Sequence, residues 1–321
     1  MNKNLSEIFL ELGSSKIILS FNDELHNKII TEEKNILNDE KNNNLFLDAE
    51  RNKIENSIYE LEKKNNIYIK NINLLIDDKN TITIGFSVSK KINYNFFDKK
   101  NLEYLIQDAK QTILKFNNEY EILHIFVTKL TVDENKIDDF KKIEKCNKIT
   151  LDLLFICIPL KKIEYFQKLF SNNHININKI LSSSYSKTFY LINNSNIDYE
   201  DKIFIDLGFK KTAVLFYNKN ILKYFDIIPV GSNHINKDLI KILNIDYASS
   251  EIIKKNFHKK DFFLSHKYKS IAENFKITKE NERNINKIIE YRIDEILEIS
   301  VKKVTNQFEK LDFKKKIKLI L

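Results

Sequence analysis

This 321-residue chain contains only two cysteines, Cys146 and Cys157, and they form no CxxC pair. That excludes a disulfide-stapled scaffold and a cysteine-rich zinc module, and it fits a reducing cytoplasm. Arginine is almost as scarce: of 53 basic residues only Arg51, Arg283 and Arg292 are arginines. The formal net charge of +8 is carried by lysines spread along the chain. Proteins that read nucleic acid concentrate arginine on one face, because its planar fork grips phosphate and guanine with two bonds, so no specific nucleic-acid binding is expected. A generic attraction to an acidic membrane surface stays compatible with the lysines. No apolar run approaches the roughly 18 residues of a transmembrane helix. The run that follows Met1–Glu7 is too short and too closely flanked by acids for a signal peptide. What the chain does have is a hydrophobic fraction of 42%, which excludes whole-chain disorder, and a length that suits two compact units or one two-lobed domain.

Four glycines (Gly13, Gly85, Gly208, Gly231) and two prolines (Pro159, Pro229) punctuate the chain. A chain this poor in glycine keeps it where the backbone needs a positive φ or where another group must come close. Ile8-Phe-Leu-Glu-Leu-Gly-Ser-Ser-Lys-Ile-Ile-Leu-Ser20 places a polar turn between two apolar runs, a hairpin signal. Lys202-Ile-Phe-Ile-Asp-Leu-Gly-Phe-Lys-Lys-Thr-Ala-Val-Leu-Phe-Tyr217 repeats the scheme, and a third strand, Ile221–Ile228, closes in Pro229-Val-Gly-Ser-Asn-His234. Two related hairpins predict two similar halves, with the Gly13 and Gly208 turns facing one cleft.

Between the hairpins, Asp48–Lys64 reads as a helix capped by Asp48, with Ile54, Ile58 and Leu61 on one face. Ile67–Ile76, Thr81–Ile92 and Ile122–Val132 read as strands. Asn101–Phe116 reads as an amphipathic helix burying Leu102, Leu105, Ile106, Ala109, Ile113 and Phe116. This block, 47–144, predicts a small α+β insertion with its own core. Ile149–Ile158 and Ile175–Leu181 are further strands, and Ser184–Leu191, Asn236–Leu243, Ala248–Lys255 and Glu282–Lys310 are helices. Lys254–Lys269 reads as a loop rich in lysine and aromatics, and Lys316–Leu321 as a final strand.

An acid two residues before a glycine turn suits nucleotide binding. The turn offers N–H groups to phosphate, and the acid, here Glu11 or Asp206, can hold Mg²⁺ through water. Either hairpin alone is a weak signal, since glycine turns between strands usually just make hairpins. His258 and His266 lack the spacing and third ligand of a metal site and read as solvated loop residues. Asp77-Asp78 and Asp138-Asp139 read as caps or solvated turns. Ser182–Ser184 and Tyr185 lack a partnered histidine in a usable motif, so no nucleophilic or other catalytic residue is assigned. Arg292 suits a two-bond task, either toward a partner or in a pair with Glu295 or Glu290.

Taken in order, these motifs resemble the actin/Hsp70-like ATPase superfamily, and within it the FtsA family of cell division. Glu11-Leu-Gly-Ser-Ser-Lys16 is similar to the first phosphate loop, D-I-G-T-S-K. Asp206-Leu-Gly-Phe-Lys-Lys-Thr212 stands where that family has D-I-G-G-G-T-T. Ile228-Pro-Val-Gly-Ser-Asn-His-Ile235 is close to I-P-V-G-G-D-H-I and is the most specific match. Ser250-Glu-Ile-Ile-Lys254 resembles A-E-x-I-K, and Ile288-Ile-Glu-Tyr-Arg-Ile-Asp-Glu295 resembles V-I-E-P-R-x-x-E. Three departures stand out. Glu11 replaces an aspartate, Phe209 and Lys210 replace glycines, and Lys211 replaces a threonine.

The resemblance implies an α/β, actin-like ATPase fold: two lobes of related sheet-plus-helix subdomains with a small SHS2-type insertion. The first lobe (1A) takes 1–46 and 145–197, the insertion (1C) 47–144, the second lobe (2A) 198–245 and 302–321, and a small subdomain (2B) 246–301. It implies nucleotide contacts at Gly13, Ser14, Ser15, Lys16, Asp206, Gly208, Lys210, Thr212, Gly231, Ser232, Glu251 and Lys254, with Mg²⁺ held through water by Glu11 and Asp206. The cofactors are then ATP and Mg²⁺, with at most weak ATPase activity because the second phosphate loop has lost its glycines. The implied partners are the C-terminal tail of FtsZ, near Arg292 and Glu295, further copies of the chain in a filament, and the cytoplasmic membrane. That placement is cytoplasmic and peripheral, on the inner membrane at the division septum. The resemblance puts the adenosine-side Gly-Gly and an amphipathic membrane anchor after Leu321. Rival readings are a metabolic or chaperone ATPase of the superfamily, a PilM-like pilus assembly protein that binds a partner's N-terminal peptide, and a nucleotide-free scaffold.

Overall fold

Residues 7–23, 28–35, 46–96, 99–137, 145–194, 200–259 and 261–308 are described by the structure, a computed structural model. The expected strand Lys316–Leu321 and the pair Asp138-Asp139 lie outside them. The chain divides into two units, Met1–Lys202 with Leu215–Ile227, and Ile203–Val214 with Ile228–Leu321.

In the first unit the opening hairpin forms as expected. Strand β1 (Ile8–Leu12) pairs antiparallel with β2 (Lys16–Asp23), with Leu10 opposite Leu19. Strand β3 (Lys28–Asn35), which sequence reasoning did not anticipate, adds to β2. On the other side β4 (Asn71–Ile76) runs parallel to β1, and β9 (Asn176–Ser182) runs parallel to β4, giving the order β3-β2-β1-β4-β9. Helices α1 (Phe46–Asn65) and α3 (Leu160–Asn172) share its core. Ile54, Ile58 and Leu61 of α1 and Ile163, Phe166 and Phe170 of α3 are buried with Leu10, Ile17, Leu19 and Leu74. Asp48 is not the cap of α1, which starts at Phe46.

A second core in this unit belongs to an antiparallel sheet of order β5-β8-β6-β7. Its strands are β5 (Ile82–Phe96), β6 (Tyr120–Val132), β7 (Asn135–Ile137) and β8 (Lys145–Pro159). Alternation decides the faces of β8: Ile149, Leu151, Leu153, Phe155 and Cys157 join helix α2 (Lys99–Phe116) through Leu105, Ala109 and Ile113. Neighbouring Ile158 turns to the first core instead. Residues of the expected 47–144 insertion fall in both cores. Helix α1 and β4 serve the first sheet, while the separate module opens at β5 and takes in β8, because only there do the apolar residues face α2. Phe116, expected to be buried, ends α2 and is 78% exposed. Helix α4 (Ser183–Asn194) follows β9.

A three-stranded sheet of order β10-β11-β12, with β10 (Asp201–Leu207), β11 (Thr212–Asn218) and β12 (Ile221–Ile228), supplies residues to both units. Among the described residues the rest of the second unit is mainly helical: α5 (Asn233–Leu243), α6 (Tyr247–Asn256), α7 (His266–Asn274) and α8 (Lys279–Gln307). Its core gathers Ile235, Leu239, Ile253, Phe262, Tyr268, Ile271, Ile285 and Ile289. Much of Lys254–Lys269, expected to be a loop, is folded. Phe262 and Phe263 lie in a short 3-10 turn, and their rings meet that of Tyr268 at 5.4 and 5.0 Å. The hydroxyl of Ser265 accepts from the Tyr268 amide and starts α7. Burial of three rings outweighs the high lysine content, since Lys255, Lys259, Lys267 and Lys269 keep their charges at the surface.

Candidate functional site

At the first turn the Gly13 N–H donates to the Lys16 carbonyl at 2.9 Å, closing a tight turn that holds Ser14 and Ser15 half-buried. A Cβ on Gly13 would lie 3.0 Å from that carbonyl. Lys16 pairs with Glu33 of β3 at 2.8 Å. Glu11, the expected metal acid, is engaged by α4: its Oε1 accepts from the Ser183 hydroxyl at 2.6 Å and meets the Lys187 ammonium at 2.7 Å.

The same helix start draws in residues that sequence reasoning did not connect. Asp77, just beyond β4, accepts from the Ser182 hydroxyl at 2.7 Å, the Ser184 hydroxyl at 2.6 Å and the Ser184 amide at 3.0 Å. It acts as a cap for α4 across the sheet. The Ser182 amide donates to His124 Nε2 at 2.9 Å, which requires that nitrogen to be unprotonated. Burial pulls His124 down to about 4, against the opposing pull of Asp77. Asp77 and Ser182 lie far apart in sequence, so no local pattern could have paired them. With its serines buried, Asp77 and His124 half-buried, and all of them bonded, this cluster is an anchor for α4.

In the second unit the loop after β10 folds against the start of α5. The Gly208 amide donates to the Lys211 carbonyl at 3.0 Å and to the Asp206 carbonyl at 3.1 Å. The amides of Ser232 and Asn233 donate to the carbonyls of Gly208 and Phe209 at 2.9 and 2.8 Å. The Thr212 hydroxyl donates to the Val230 carbonyl at 2.7 Å. A Cβ on Gly231 would lie 2.6 Å from both the Gly208 and Phe209 carbonyls, and one on Gly208 would lie 2.7 Å from the Lys211 carbonyl. No glycine has positive φ among the described residues. Close approach, not left-handed backbone, explains glycine at both positions. The left-handed turns fall to other residues, such as Asp133 and Glu134 at 45° and 70°.

Helix α6 brings Glu251 and Lys254 to this loop. They form an ion pair in which each side chain is 13% exposed, and the Lys254 ammonium lies 5.4 Å from the centroid of the Phe209 ring. Asn236 Nδ2 donates to Glu251 Oε1 at 2.5 Å, and Lys255 approaches its Oε2 at 3.3 Å. Burial alone would raise the Glu251 carboxyl, but Lys254, Asn236 and Lys255 together hold it below the usual carboxylate range. Burial draws the Lys254 ammonium down, and Glu251 offsets part of that.

Of the residues expected to hold a nucleotide, Gly208, Thr212, Gly231, Ser232, Glu251 and Lys254 are thus drawn into one cluster with Phe209 and Asn236. Asp206 is half-buried at the end of β10 and Lys210 is exposed in the loop. Gly13, Ser14, Ser15 and Lys16 belong to the other unit. Arg292 and Glu295 form a separate group. Arg292 Nε and Nη2 donate to the two carboxylate oxygens of Asp238 at 2.6 and 3.0 Å, and Nη1 donates to Glu295 at 2.5 Å. The two-bond task expected of Arg292 is therefore met by Asp238 of α5. That partner went unrecognised because it lies on another helix.

A family model described as "Cell division protein FtsA" matches residues 203–308, the stretch from this loop through α8. Cell division protein FtsA of Helicobacter pylori (strain ATCC 700392 / 26695) is 22% identical over 138 residues, which is 43% of this chain and 28% of that protein. The match thus spans just over a quarter of the relative's length. Among solved structures, the PilM-PilN type IV pilus biogenesis complex matches with a TM-score of 0.54 at 10% identity, over 86% of this chain and 77% of that one. The ethanolamine utilization protein EutJ from Carboxydothermus hydrogenoformans matches at 0.50 and 10% identity, over 98% of this chain and 75% of that one. At such identities the likeness concerns the fold alone. Residues 203–308 are thus similar to FtsA, and the chain has an actin-like ATPase fold. The FtsA match takes in the whole clasp between the Gly208 loop and α5, together with the helical core behind it.

Proposed function

We propose that this FtsA-like chain is an assembly protein of bacterial cell division, an actin-fold link between FtsZ and the inner membrane at the septum. The observation that carries this reading is the FtsA match over 203–308, a stretch whose helices share one core. The acidic C-terminal tail of FtsZ docks on the α5–α8 surface, where Lys255, Lys259, Lys267 and Lys269 are exposed and supply attraction. Arg292 and Glu295 shape that surface by fixing α8 to Asp238 of α5. The module of β5–β8 and α2 contacts the next copy in a filament. Among the described residues no helix is long and apolar enough to cross a membrane.

ATP and Mg²⁺, implied by the resemblance, do not fit the groups present. Glu11 is already bonded to Ser183 and Lys187 through one oxygen. In the second phosphate loop the Gly208 amide, and at the start of α5 the Ser232 and Asn233 amides, donate to the chain's own carbonyls. In this reading the chain acts by binding.

Fluorescence anisotropy with an FtsZ tail peptide tests the reading. Lys255→Glu combined with Lys259→Glu is expected to weaken binding several-fold, and Arg292→Glu to weaken it by disturbing the α5–α8 surface. Unaltered binding in both proteins removes the proposal. The PilM-like alternative predicts instead that a partner's N-terminal peptide binds and the FtsZ tail does not.

A further inference from the structure

The geometry points to a nucleotide place that this chain fills with its own side chains, Phe209 standing in for the ligand. The inference takes from the functional reading only the location, the Gly208 loop with α6. Three backbone amides at this place donate to the chain's own carbonyls: Gly208 to Lys211 at 3.0 Å, Ser232 to Gly208 at 2.9 Å and Asn233 to Phe209 at 2.8 Å. Gly231 lies so close beneath the loop that its Cβ position is 2.6 Å from two of those carbonyl oxygens. Little room is left for the loop to shift towards α5.

The side chains complete the closure. Glu251 and Lys254, which the resemblance assigns to the nucleoside, are paired with each other and mostly buried. Lys254 also faces the Phe209 ring 5.4 Å from its centroid. A cation on a ring face is favourable when both are partly desolvated, and a charge so satisfied has no reason to seek a phosphate. Asn236 donates to Glu251, and its Oδ1, which has no hydrogen-bond partner, is enclosed within a residue of 0% exposure. Phe209 replaces a family glycine, so a ring occupies space that a glycine would leave open. It ties the loop to α6 as a bound ligand would, and the unit holds together without nucleotide.

The test is thermal melting and titration calorimetry of the full chain with ATP–Mg²⁺ and ADP–Mg²⁺. The wild type is expected to melt at the same temperature with and without millimolar nucleotide and to give no saturable heat. Phe209→Gly is expected to melt lower, and to recover part of that loss when ATP–Mg²⁺ is added. Saturable heat in the wild type overturns the inference, as does a folded Phe209→Gly protein that ignores nucleotide. Should Phe209→Gly fail to fold, Phe209→Leu and Lys254→Met decide. The loss of urea midpoint in the double variant is expected to fall short of the summed single losses, and a simple sum overturns the coupling. Tail-peptide binding is read separately: its loss with nucleotide insensitivity intact refutes the division reading and leaves this one standing.

Discussion

A methyl group on Gly231 would press against two carbonyl oxygens at 2.6 Å and an amide nitrogen at 2.7 Å, all of them backbone atoms. Backbone cannot swing aside as a long side chain can, so Gly231→Ala must part the loop from α5 and break the bonds from Ser232 and Asn233. The expected cost is about 1–3 kcal/mol, the range of overpacked interiors. Gly85 is the control. It is exposed on β5 with nothing within 4 Å of its Cβ position, so Gly85→Ala should be neutral or slightly stabilising. Urea midpoints of the two variants check the contrast, and equal effects would refute it. Both glycines look alike in the sequence. Only the tertiary approach of residues 208–211 to 231 separates them.

Helices α5 and α8 pack through Ile235, Leu239, Ile285 and Ile289, and Arg292 fastens them at the rim. The two bonds to Asp238 need a planar fork, and Glu295 adds a third contact one turn on. Asp238 and Arg292 are each about a quarter exposed, so solvent screening limits their contribution. Arg292→Met is expected to lower stability by about 1 kcal/mol, and Arg292→Lys to restore less than half of it, because an ammonium cannot form the paired bonds. Chemical denaturation of the three proteins checks this, and full rescue by lysine would show that charge alone matters. Helix α8 was legible from its apolar spacing, including Ile285, Ile289 and Ile296. The Lys254–Lys269 segment was not, because its buried aromatics follow no helical period and its lysines read as solvent-facing.

Across the whole molecule, acid should act through His124. Its ordinary value is 6.5 and burial brings it to about 4 in the fold, so the unfolded chain binds the extra proton first. The stability it contributes is full above pH 6.5, is lost as pH falls towards 4, and amounts to about 3 kcal/mol at about 1.4 kcal/mol per pH unit. Urea midpoints measured from pH 7 to pH 4 should therefore fall more steeply for the wild type than for His124→Gln. Parallel slopes would show that the imidazole stays uncoupled from folding. The effect belongs to the anchor that joins β4, β6 and α4, a junction of segments distant along the chain.

Local pattern was enough for the two glycine hairpins, the amphipathic α2, the long α8 and the motif order that implies the actin-like fold. Each of these depends on neighbours a few residues apart, where apolar period and turn chemistry act directly. Folding in three dimensions settled what such patterns cannot reach. It set α1 and β4 on the first sheet, turned Asp77 into the cap of α4 and gave Arg292 to Asp238. It also laid Phe209 beneath Lys254. These contacts join residues whose separation in sequence carries no periodic signal, and they exist only once packed cores bring the elements together.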